Sequence, residues 1–184
     1  MERSVIFSGF GGQGLLFTGQ VLARAAIKDG LECFWIPSYG PEMRGGTASC
    51  TVIVGDEPIG SPTVDLFDAA VTMNLPSLRK YGPRVGPGGL LIVNTSLVGE
   101  ETAGRPEIDE LRLACTDIAA SGGDDKLVTI VALGALVGRL GWVTPESVRA
   151  VIREMVGKKR PEILEADLGV FDAGLAFVGT PVRA

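Results

Sequence analysis

Apolar and polar positions change rhythm several times along this chain. Residues 4–8 read SVIFS, where contiguous Val5, Ile6 and Phe7 form the β-prone pattern of a strand buried on both faces. A glycine-rich turn follows. In residues 12–29, Leu15, Leu22, Ala25 and Ala26 share one helical face, and Gly30 is a natural stop. ECFWIP, residues 32–37, reads as a second strand ended by Pro37. The three segments predict a β-α-β opening with a right-handed parallel crossover.

Further strands are expected at ASCTVIVG (48–55), DAAVTMN (68–74) and the strongly apolar LLIVNTS (90–96). Turn formers fill SYGPEMRGGTAS (38–49), GDEP after the third strand, and GPRVGPGG after a helical turn at 76–81. Residues 98–111 are polar and read as a surface excursion, and LRLACTDIA (111–119) as the last strand. Helices are expected at 124–140, where Asp124 and Asp125 suit the positive end of the dipole, and at 144–157. The second of these has Thr144 as N-cap and Pro145 in the first turn. A final helix is expected within 160–179. About six strands and five helices in alternation predict an α/β class with a mostly parallel sheet.

Composition narrows the chemistry. A chain of 184 residues, 46% hydrophobic, is long enough to bury a sizeable core, and one domain over 1–184 is expected. With 17 basic and 22 acidic residues the net charge is −5, which argues against nucleic acid as a partner. Histidine is absent, removing Ser-His-Asp triads, Cys-His pairs and His-ligated metals. Cys33, Cys50 and Cys115 are scattered without a C-x-x-C, so neither an iron–sulfur cluster nor a zinc site is expected from this chain alone, and a reducing cytoplasm suits them. The N-terminus has no basic region ahead of a long apolar run. The longest apolar stretch, residues 127–138, falls short of the roughly 20 residues a bilayer requires. It is apolar all round at helical spacing. That fits either an ordinary core helix or one with a surplus face for self-association or a partner.

Two loops carry the candidate chemistry. GFGGQG, residues 9–14, places Gly9, Gly11 and Gly14 in a G-x-G-x-x-G spacing between a strand and a helix. N–H groups there and the helix dipole make an anion site; the alternative is a tight turn without a ligand. A dinucleotide reading needs an acidic residue ending the second strand, about 20 residues on. Ile36, Pro37 and Ser38 stand there, and Glu32 lies at the wrong end, so that reading fails. In the second loop Tyr39, Glu42 and Arg44 precede Gly45 and Gly46. A guanidinium beside glycines suits phosphate or carboxylate; the alternative is a solvated Arg44–Glu42 pair. Together the loops indicate a shared anionic ligand or a packed protein interface.

GFGGQG (9–14), YGPEMRGGTASCTVIVGDEPIGSP (39–62) and GGLLIVNTSLV (88–98) resemble, in order and spacing, the gamma subunit of 2-oxoacid:ferredoxin oxidoreductases. The resemblance covers roughly the first hundred residues. It implies a three-layer, Rossmann-like fold in a complex that oxidatively decarboxylates a 2-oxoacid to an acyl-CoA. By the same resemblance this chain binds no cofactor alone and carries no catalytic or metal residue. Thiamine diphosphate, Mg and iron–sulfur clusters belong to partners, namely thiamine-binding alpha and beta subunits and a ferredoxin-like delta subunit. Gly11, Gly12, Gly14, Arg44, Gly45 and Gly46 are the residues carried over, as a coenzyme A or interface loop. The IPSYGPEMRGG stretch slightly favours 2-oxoglutarate over pyruvate or a branched-chain 2-oxoacid. A purely structural subunit and an independent nucleotide or acyl-CoA-binding module are the alternatives.

Overall fold

The computed structural model describes residues 1–39, 47–122, 127–157 and 161–178. Strands β1 (Glu2–Phe10), β2 (Glu32–Tyr39), β3 (Thr47–Gly55), β4 (Phe67–Thr72), β5 (Val85–Asn94) and β6 (Asp109–Leu113) form one sheet in the order β2-β3-β1-β4-β5-β6. Around it lie helices α1 (Leu15–Lys28), α2 (Leu75–Tyr81), α3 (Thr95–Val98), α4 (Cys115–Ser121), α5 (Val128–Leu140), α6 (Pro145–Val156) and α7 (Pro161–Phe177).

The β1–β4, β4–β5 and β5–β6 pairs are parallel, while β3 is antiparallel to both β1 and β2. All strands except β3 therefore point the same way, and the sheet is mostly parallel. The expected parallel crossover does not join neighbours, however, because β3 lies between β1 and β2. The cause is length. Only residues 40–46 separate β2 from β3, and a parallel return needs a dozen residues or more. The short connection turns β3 back beside β2, and its other edge takes β1.

Alternation along β1 divides the core. Val5 and Phe7 face α1, α4, α5, α6 and α7, whereas Ile6 faces α2 and the residues around Tyr81 and Val98. This is the expected three-layer α/β domain. Two boundaries differ from the sequence pattern. Residues 111–119 split between β6 and α4, with only Asp109–Leu113 extended. Strand β5 begins at Val85, and the register against β4 shifts between Phe67 and Ala69, which takes the glycines of 86–89 into an irregular strand. Among the described residues no helix is long and apolar enough to cross a membrane.

Helix α5 is covered within the chain. Every residue from Val128 to Gly138 is buried, against the sheet, α4 and above all α7. The surplus apolar face that suggested self-association is thus not left over on this helix. Glycines set how close α5 and α7 come. A Cβ at Gly134 would fall on the Phe171 carbonyl and 2.8 Å from the Leu175 nitrogen, and one at Gly174 would fall on the Val131 carbonyl. Backbone meets backbone, so no side chain can move aside.

Gly169, on the same α7, has nothing within 4 Å of where a Cβ would lie. Alanine gains about 1 kcal/mol of helix propensity over glycine at each position. Overpacking costs about 1–3 kcal/mol or more where a Cβ meets backbone. Gly169→Ala is therefore expected to raise the urea midpoint of unfolding, and Gly134→Ala and Gly174→Ala to lower it. Three shifts of the same sign would contradict the close α5–α7 contact.

Candidate functional site

The chain leaves β1 over one face of the sheet through α1, and leaves the adjacent parallel strand β4 over the other face through α2. The carboxyl ends of β1 and β4 therefore flank a topological switch point, where open α/β sheets bind ligands. The glycine loop occupies one side of it.

Each part of that loop has a local cause. Gly12 and Gly14 sit at φ 97° and 77°, a region that side chains disfavour. At Gly9 a Cβ would come 2.8 Å from the Met73 Cβ and collide with the Gln13 carboxamide. Gln13 folds back so that its Oε1 accepts the Phe10 backbone N–H at 2.7 Å, and its own carbonyl accepts from the Thr129 hydroxyl at 2.6 Å. Gly14 then serves as N-cap of α1, supplying no side-chain cap, and no acidic residue stands in the first turn. The opening N–H groups of a 14-residue helix thus lack an internal partner and carry the positive end of its dipole.

Gly11 is half-buried and Gly12 exposed beside the crevice. Arg44, Gly45 and Gly46 lie outside the described residues. The strands on either side of them do not. Thr47 pairs with Phe10, and Tyr39 pairs with Ala48, so β2 ends and β3 begins at the carboxyl end of β1. The dinucleotide reading fails on topology too, since β2 is two strand spacings from β1, about 10 Å.

Other residues of the site are not singled out by sequence pattern. Asn74, after β4, is 2% exposed; its Oδ1 accepts from the Ser77 N–H at 2.9 Å, while its buried Nδ2 has no partner. The N-L-P order at 74–76, a cap ahead of a first-turn proline, is the signal that could have marked it. Gln13 lies inside GFGGQG, where glycine spacing says nothing of a side-chain role. A cleft of about 240 Å³ on the α2 side is bordered by Ser8, Ser49, Ser77, Lys80 and Tyr81, among others. Only the folded chain brings these positions together, so no spacing reveals them.

A model of the family described as pyruvate ferredoxin/flavodoxin oxidoreductase matches residues 4–177. The chain belongs to this family. It is 34% identical over 164 residues to the 2-oxoglutarate synthase subunit KorC of Methanocaldococcus jannaschii, with 88% of each chain covered. It is also 34% identical over 175 residues to the ketoisovalerate oxidoreductase subunit VorA of Methanothermobacter thermautotrophicus, covering 94% of this chain but about a third (36%) of that longer one. Among solved structures, the gamma subunit of a keto/oxoacid ferredoxin oxidoreductase from Geobacter sulfurreducens superposes with a TM-score of 0.82 at 29% identity, over 96% of this chain and 98% of that one. The gamma-subunit fold of the oxidoreductase family is thus the fold of this chain.

The thiols of this family member are chemically quiet. Burial pushes Cys50 up to about 12, with its Sγ donating to the Leu15 carbonyl at 3.2 Å, and burial pushes Cys115 up to about 12 as well. Cys33 is raised too, first by burial and then by the Glu32 charge. Attack by sulfur requires the thiolate. Native protein at pH 8 is therefore expected to leave Cys50 and Cys115 unmodified by iodoacetamide, and urea to expose both; mass mapping reads the sites. The sign of the pH effect follows. The folded chain keeps protons that the unfolded chain loses from an ordinary value of 9.0, so stability falls as pH rises from about 9 toward 12. Rapid native labelling of either residue would contradict the burial.

Proposed function

We propose that residues 1–184 act as one unit, the gamma subunit of a 2-oxoacid:ferredoxin oxidoreductase. The chain lends the coenzyme A side of the active-site crevice and contributes to assembly. The observation that carries this reading is the uncapped start of α1 behind two positive-φ glycines at the β1–β4 switch point. Coenzyme A brings several phosphate charges. Backbone N–H groups around Gly11, Gly12 and Gly14 would donate to them, and Arg44 would add a charged fork beside Gly45 and Gly46. The 2-oxoacid chemistry falls to partners: thiamine-binding alpha and beta subunits and a ferredoxin-like delta subunit, which would hold thiamine diphosphate, Mg and the clusters. This chain's own part is to bind and orient the thiol substrate. The match in length to the 2-oxoglutarate synthase subunit favours 2-oxoglutarate, with the branched-chain acid next on account of the VorA likeness.

A second reading makes the loops a contact surface for a partner subunit, since two glycines with positive φ also let a foreign backbone approach closely. One experiment separates the two. A charge-assisted hydrogen bond is worth about 1.5–3 kcal/mol, or about tenfold to over a hundredfold in affinity. Arg44→Ala in the assembled oxidoreductase is expected to raise the Michaelis constant for coenzyme A by that factor and to leave that for the 2-oxoacid nearly unchanged. Arg44→Lys restores only part, because an ammonium lacks the bidentate fork. Steady-state kinetics with each substrate varied in turn, plus gel filtration, checks this. An intact complex with an unchanged coenzyme A constant sinks the binding role, and a complex that falls apart assigns Arg44 to assembly.

A further inference from the structure

The cleft on the α2 side is built unlike the rest of this acidic chain. Ser8, Ser38, Thr47, Ser49, Ser77 and Tyr81 line it, Lys80 supplies an ammonium, and among the described residues no carboxylate borders it. The hydroxyls are organised: Ser8 Oγ lies 2.9 Å from Ser77 Oγ, and Ser49 Oγ 3.4 Å from the Tyr81 hydroxyl. The Lys80 Nζ rests 5.0 Å from the Tyr81 ring centroid and, among the described residues, meets no carboxylate. Its neighbour Arg79, by contrast, is held by both oxygens of Glu101 at 2.9 and 3.1 Å. Rotatable hydroxyls around one ammonium select an anionic oxygen cluster.

Size and position identify the ligand further. At about 240 Å³ the cleft falls below the 300–1,000 Å³ of sites that take a whole drug-sized molecule, so it suits one part of a larger ligand. Ser8 lines it, and the next residue, Gly9, opens the glycine loop. Consecutive Cα atoms are about 3.8 Å apart, so the two anion-selective places meet across the carboxyl end of β1. A ligand with two phosphate groups on one ribose matches that arrangement, and a ligand with a single phosphate group does not.

We propose that the Lys80 cleft is the subsite for the 3′-phosphate of coenzyme A, while the glycine loop receives the 5′-diphosphate. This deepens the coenzyme A reading above and rests on it. A monoester dianion meets Lys80 as a point charge, and the hydroxyls of Ser49, Ser77 and Tyr81 orient its oxygens.

The probe is 3′-dephospho-coenzyme A, compared with coenzyme A in initial-rate kinetics of the oxidoreductase purified with its partner subunits. Lys80 is exposed, so Lys80→Met keeps the stem and leaves the core untouched. The wild type is expected to show a Michaelis constant about tenfold higher for the dephospho form, the scale of one charge-assisted contact. Lys80→Met should raise the coenzyme A constant about tenfold, leave the dephospho constant within about twofold, and so abolish the preference. Lys80→Arg should retain most of it. An unchanged preference in Lys80→Met, or no preference in the wild type, overturns the subsite. Arg44→Ala tells the two readings apart: a rise for both thiols alike keeps the coenzyme A reading even where the Lys80 result overturns the subsite. Constants that move in neither variant overturn both.

Discussion

The stretch between Tyr39 and Thr47 is too short to cross the sheet, and that constraint decides where everything else sits. Antiparallel return is the only course open to it. Strand β3 therefore lies between β2 and β1, and the carboxyl end of β1 meets the end of β2 and the start of β3 on one side. On its other side stands the parallel strand β4, whose connection departs to the opposite face. A crevice with a helix start on one face and a hydroxyl-lined cleft on the other is the result. Had β2 paired directly with β1, the same glycine loop would face the geometry of a dinucleotide site, and an acidic strand end would have mattered.

Local pattern and topology were legible in the sequence to different degrees, for physical reasons. Contiguous apolar runs such as Val5 to Phe7 marked buried strands because burial on both faces leaves no polar positions. The α1 stripe and the Thr144–Pro145 start of α6 were legible because caps and periodicity are local. The split of 111–119 into β6 and α4 was not, since Leu111 and Leu113 are apolar in either state and the Asn94 bond to Thr116, 22 residues distant, helps hold the turn between them. Nor was strand order, which depends on what a strand pairs with rather than on its own residues. The glycine loop announced itself, whereas the Lys80 cleft, assembled from positions 8 to 81, could not.

The same distinction explains the apolar helix. Residues 127–138 carry no polar face, which by periodicity alone permits a core helix or an exposed docking surface. The deciding feature lies elsewhere in the chain, in Gly174 of α7. Glycine against glycine brings the two helices to backbone contact, and α7 then covers the face that the sheet leaves open. A bulky residue at either position would separate the helices and expose that face. Close packing here is thus what buries the apolar face of α5 within the chain.

Charge completes the argument about the crevice. A net −5 repels anions at long range, yet the Debye length is about 8 Å at physiological salt, so the far carboxylates count for little. Many of them are also engaged, as Glu101 is by Arg79, Asp109 by Arg139 and Asp172 by Arg149. Among the described residues, what faces an anion at this strand end is the uncapped start of α1, the hydroxyls of β1, β3 and α2, and Lys80. Among the described residues, none that lines the cleft is acidic. An acidic protein can therefore still offer an anion-favouring place where positive dipoles and a cation gather at one strand end. The order of the sheet puts them there.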